Sequence, residues 1–221
     1  SCHLMTDALG RLLFAANYSG GSIAVYPVEA DGSIGPMCDF VQHEGQGPRE
    51  DRQEAPHPHS VFLYQDDRYV FVPDLGLDKV FIYRIDYEAR KINLHGTASL
   101  PAAAGPRHLT FHPSENFVYV INELDSTVSV FSIEPDSCTL EHLQNITTLP
   151  GDFTGETTCA DIHLTPDGKF LYASNRGHDS LAIYRINSSD GLLTAAGHSP
   201  TYGMTPRNFA ITPDGRVVIA A

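Results

Sequence analysis

The feature that most constrains this chain is a unit of about 50 residues, written four times and then half again. Each copy runs through an apolar stretch, a turn, a second apolar stretch, a polar tip and a third. The clearest copies are Arg107-His-Leu-Thr-Phe-His-Pro-Ser-Glu-Asn-Phe-Val-Tyr-Val-Ile-Asn-Glu123 and Ala160-Asp-Ile-His-Leu-Thr-Pro-Asp-Gly-Lys-Phe-Leu-Tyr-Ala-Ser-Asn-Arg176. Phe14, Phe71, Tyr119 and Tyr172 hold matching places in the second stretch. A period of this size marks a propeller or a solenoid, and residue type separates strands from helices. The stretches Tyr69-Val-Phe-Val72, Phe117-Val-Tyr-Val-Ile121 and Val128-Ser-Val-Phe-Ser-Ile133 are rich in β-branched and aromatic residues and bounded by Asp-Gly, Pro and Asn. Sustained helical periodicity is absent. The expectation is an all-β fold, a β-propeller of four-stranded blades.

Within one unit the pattern predicts strand a over 107–112, a turn at 113–116, strand b over 117–122, strand c over 127–133 and an outer strand d over 140–148. Unit boundaries fall near 1–56, 57–104, 105–157, 158–204 and 205–221, the last cut short. The chain starts without Met and ends in Val217-Val-Ile-Ala-Ala221. A propeller hides its edges by closing on itself, so an internal portion of a longer ring is expected.

The slots that break the repeat carry the functional signal. Just before strand a stand Cys2, His59, Arg107, Ala160 and Arg207; just after strand b stand Tyr18, Leu75, Glu123 and Arg176. A hairpin sets these slots side by side at one end of the innermost strands. His59, Arg107, Glu123, Arg176 and Arg207 are therefore expected to gather at one mouth of the channel. Arginine forks grip carboxylate or phosphate, which points to an anionic small molecule. His59 and Glu123 suit acid–base work, and His57 and His178 are further substrate-binding candidates. The alternative is solvated loop charge, with Arg107–Glu123 a surface ion pair worth ~0–1 kcal/mol. The polar segment 42–59 reads as a disordered loop or a flap, and 149–161 as a second overhang.

Composition narrows the field. A net charge of −13, with 14 Lys plus Arg against 27 Asp plus Glu, disfavours nucleic acid or an anionic membrane as partner. Apolar runs of about 20 residues are absent. Cys2, Cys38, Cys138 and Cys159 lack metal or disulfide spacing, which suits reduced thiols in the cytoplasm. His57-Pro-His59 is a poor metal pair, so no metal or cofactor is expected.

Six segments then carry a resemblance: Arg52-Gln-Glu-Ala-Pro-His-Pro-His-Ser60, Gly105-Pro-Arg-His108, Asn122-Glu-Leu-Asp-Ser126, Cys159-Ala-Asp-Ile-His163, Ala173-Ser-Asn-Arg-Gly-His-Asp-Ser180 and Thr205-Pro-Arg-Asn-Phe209. In this order they resemble the lactonase family of seven-bladed propellers. That family holds the bacterial cycloisomerase-type 6-phosphogluconolactonases and the fungal 3-carboxy-cis,cis-muconate lactonising enzyme. The resemblance implies that the chain holds about four and a half of seven blades. It also implies a catalytic His, two Arg and a Glu, which fall by motif on His59, Arg107, Arg176 and Glu123. The implied reaction is hydrolysis of 6-phosphogluconolactone to 6-phosphogluconate in the pentose phosphate pathway, at a metal-independent site. Muconate lactonisation and a non-catalytic binding propeller are the alternatives.

Overall fold

A computed structural model describes residues Ser1–Ala221. The chain forms strands and no helix, and divides into two compact units, Ser1–Pro106 and Arg107–Ala221. No helix is long and apolar enough to cross a membrane.

The first unit contains two antiparallel meanders. One orders β1 (His3–Thr6), β2 (Leu12–Asn17), β3 (Ser22–Pro27) and β4 (Asp39–Gln42); the other orders β5 (Phe62–Tyr64), β6 (Tyr69–Asp74), β7 (Lys79–Asp86) and β8 (Lys91–Ser99). Their facing side chains, among them Phe14, Ile23, Val25, Val70, Val72 and Tyr83, form one core. The polar segment 42–59 is fastened down rather than disordered. His43 bridges the Asp74 carboxylate (2.6 Å) and the Tyr83 hydroxyl (2.8 Å). Gln53, fully buried, donates to Leu75 O and Asp78 Oδ1 at 2.8 and 2.7 Å. Buried polar groups need partners, and these two find theirs on β6, β7 and the turn between them.

In the second unit, β9 (Pro106–Phe111), β10 (Phe117–Asn122), β11 (Thr127–Glu134) and β12 (Thr139–Thr147) form one meander. The strands expected over 107–148 thus stand within a residue or so of their places. β13 (Thr158–Leu164), β14 (Phe170–Arg176), β15 (Ser180–Ile186) and β16 (Leu193–Pro200) form the next, and β17 (Phe209–Ile211) pairs with β18 (Val218–Ala220). Tyr119, Ile121, Val128, Leu171, Ala173 and Tyr184 pack as the core of this unit. Each fully buried side chain of this size is worth ~1.5–3 kcal/mol. The two tyrosine hydroxyls reach backbone carbonyls, Tyr119 to Gly191 (3.0 Å) and Tyr184 to Thr147 (2.6 Å), so neither buries an unmet donor. β10 and β14 are mostly buried, whereas β12 and β16 are mostly exposed, as the inner and outer strands of a blade should be. The a–b turn at Thr165-Pro-Asp-Gly168 closes by a 2.9 Å bond from Gly168 N to Thr165 O, and Gly168 takes φ 68°.

Candidate functional site

The second unit assembles a buried cluster from the ends of its inner strands. Asn122 closes β10 by donating to Thr127 Oγ1 and Ser129 Oγ at 2.9 and 2.8 Å, which fixes the tip that begins at Glu123. The Glu123 carbonyl accepts from Cys159 N at 3.2 Å, tying this tip to β13. One carboxylate oxygen of Glu123, Oε2, then meets Arg107 Nε at 3.0 Å and Arg176 Nη2 at 3.1 Å.

A β-bulge aims both guanidinium groups. The pairing of β13 with β14 slips between Cys159 and Ile162, so two residues, Ala160 and Asp161, face Ser174 alone. The Ala160 carbonyl accepts from Arg107 Nη1 and the Cys159 carbonyl from Arg176 Nη2, each at 2.6 Å. Arg107 is 2% exposed and Glu123 5%. The Arg107–Glu123 ion pair expected from the sequence is present but buried, and with the half-buried Arg176 it forms a three-residue cluster with different energetics. Burial lowers the Arg107 guanidinium to about 10; Glu123 opposes that shift, while Arg176 and Arg207 add to it.

A second network centres on Asp161, with His108 and His163 acting as structural hydrogen-bonders. Asp161 accepts from His108 Nδ1 (2.8 Å), His163 Nε2 (2.9 Å), Asn208 Nδ2 (2.7 Å) and Phe209 N (3.2 Å). Burial alone would raise this carboxyl, but the two histidine hydrogen bonds and their charges pull it well below the ordinary carboxylate range. His108 is displaced downward, chiefly by burial, against the upward pull of Asp161. The signal for Asp161 was present in Cys159-Ala-Asp-Ile-His163, but nothing in a linear pattern shows that four donors converge there.

Arg207 is exposed at the start of the β17–β18 hairpin, its amide bonded to Ala221 O at 3.0 Å, and near enough for its charge to act on Arg107. His178 makes other contacts: Nδ1 to Ser180 Oγ at 2.6 Å, with Phe153 and His198 rings at 4.8 and 5.5 Å. Phe153 belongs to the 149–161 segment, which packs against His178 in this way.

His57 and His59 belong to the first unit and share Tyr18. His57 stacks on the phenol ring at 4.3 Å and 8°, with Nδ1 3.0 Å from Tyr18 O and Nε2 3.3 Å from Glu54 Oε1. His59 meets the ring edge-on at 5.5 Å and is 5% exposed. Its amide donates to Pro73 O at 2.9 Å and its carbonyl accepts from Cys2 Sγ at 3.0 Å. Both histidines are held by the pinned segment, since Asp74 Oδ1 also accepts from His57 N at 2.7 Å.

Comparison with known proteins agrees with this architecture. The family described as "Lactonase, 7-bladed beta-propeller" matches residues 1–221. The chain belongs to this lactonase family and is a portion of its β-propeller. It is 36% identical over 220 residues to a 6-phosphogluconolactonase of Bacillus subtilis, covering 100% of this chain and 62% of that protein. It is 37% identical over 222 residues to a 6-phosphogluconolactonase of Pectobacterium carotovorum, covering 99% and 63%. Among solved structures, the periplasmic gluconolactonase of Pseudomonas aeruginosa superposes with a TM-score of 0.93 at 37% identity, over 99% of this chain and 62% of that one. The chain thus spans less than two thirds of the length of these relatives.

Proposed function

We propose that the protein hydrolyses a sugar lactone, 6-phosphogluconolactone in the first instance, to the open carboxylic acid. One observation carries this reading: two guanidinium groups, one buried and one half-buried, share a single buried carboxylate, leaving an excess of positive charge that an anionic ligand would balance. The names of the relatives support a lactone as that ligand. Water adds to the C1 carbonyl, and Glu123 or His59 takes its proton. Arg107 stabilises the oxyanion, as preorganised donors do. The ring oxygen leaves as the alcohol after receiving a proton. Arg176 holds the phosphate, with Arg207, His178 and His57 as further substrate contacts. No metal or cofactor enters these steps. Free thiols support a cytoplasmic location.

One specific observation favours a second substrate, gluconolactone: a structural neighbour is a periplasmic gluconolactonase. The deciding experiment measures kcat/KM of the full-length protein on 6-phosphogluconolactone, gluconolactone and 3-carboxymuconate side by side. A clear preference for the phosphorylated lactone is expected. Preference for gluconolactone would move the substrate assignment, and turnover of carboxymuconate alone would replace hydrolysis with lactonisation.

A further inference from the structure

Arg107 Nη1 lies 3.2 Å from Nε2 of His108, its own neighbour in β9. A guanidinium has donors only, so Nε2 must offer a lone pair. The ring proton therefore sits on Nδ1, which donates to Asp161 Oδ1 at 2.8 Å. Among the charged and titratable groups facing His108 are Arg107 on its own strand and Asp161 and His163 on β13. His108 is nine-tenths buried or more, and Asp161 is 2% exposed. From this geometry we propose that Asp161 and His108 are positioning residues, a neutral imidazole held in one tautomer so that its Nε2 fixes the fork of Arg107. Asp161 also holds the backbone that follows Arg207, through Asn208 and Phe209. One carboxylate thus orients the surroundings of both arginines. The kinetic part of this proposal rests on the lactonase reading; the tautomer does not.

The test uses the full-length protein and two isosteric variants. In His108→Gln, the amide oxygen replaces Nε2 as acceptor for Arg107. In His108→Asn, the amide replaces Nδ1 as donor to Asp161 but leaves Arg107 without its acceptor. We expect His108→Gln to keep kcat on the lactone within about threefold of the parent, and His108→Asn to lose about tenfold or more with little change in KM. A residue that serves packing alone would not separate the two. Nitrogen-15 NMR of labelled histidines, recorded without substrate, should show His108 neutral and protonated at Nδ1 at pH 7. In Asp161→Asn the Nδ1 proton should still be favoured, because Arg107 continues to require the Nε2 lone pair and the asparagine oxygen can still accept from Nδ1. Protonation of His108 at Nε2 at pH 7, or equal kcat in the Gln and Asn variants, overturns the proposal. If the parent turns over no lactone, the functional reading falls, while the NMR spectrum still decides whether Asp161 and Arg107 hold His108.

Discussion

Glu123 meets two guanidinium groups through one oxygen, and the burial of that contact makes its removal costly for the fold and for the chemistry. Glu123→Ala leaves the buried Arg107 and the half-buried Arg176 without their shared anion, so the full-length protein should lose about 3–5 kcal/mol in urea unfolding. A loss below ~1 kcal/mol would return the pair to the status of a surface contact. Glu123→Gln keeps the shape and should lower kcat far more than it raises KM if the carboxylate takes the proton; activity equal to the parent would make Glu123 purely structural. Arg176→Ala should act mainly on KM, because a ground-state anion contact is uniform binding. It should harm the phosphorylated lactone more than gluconolactone, whereas Arg107→Ala should harm both alike. An unchanged preference for phosphate in Arg176→Ala removes the phosphate from that residue. These residue types were legible in the sequence, because they occupy slots that the repeat itself does not need.

The strands were equally legible, since alternation and β-branched content are local properties of the chain. The Asp-Gly turns followed from the same local logic: Gly168 sits at positive φ, where an L side chain is strained. Segment 42–59 is not the disordered loop its polarity suggests, because its anchors are distant in sequence: His43 finds Asp74 and Tyr83, and Gln53 finds Asp78. Its last turn lies directly on Gly76, where an added Cβ would strike the Ala55 carbonyl and crowd His57 N. Gly76→Ala should therefore destabilise by ~1–3 kcal/mol, as overpacking does. It should also disturb His57 and His59, which that backbone carries. Gly96, in β8, has nothing within 4 Å of the same added carbon and serves as the control. Equal urea midpoints for the two variants would show that the segment yields freely.

Two buried groups of the second unit contribute to the pH response of the molecule. His108 lies below its ordinary 6.5 in the fold. As pH falls past that value the unfolded chain takes up its proton first, so stability should fall from about pH 6.5 downward until the folded group also protonates. Asp161 behaves as a carboxyl held below its ordinary 3.8: its contribution is complete above that value and is lost as pH falls further. Urea midpoints measured between about pH 7 and pH 5 should decline in the parent and flatten in His108→Gln. A parallel decline in both would remove His108 as the source. The sequence by itself determined the repeat, the strand order within each unit and the residue types at the rim slots, because side-chain alternation and turn chemistry act over a few neighbouring residues. Only the tertiary structure decided that Arg107 and Arg176 share one oxygen of the buried Glu123, and that Asp161 gathers four donors. Both depend on a one-residue slip in the pairing of β13 with β14, and on packing between sheets whose members lie some fifty residues apart.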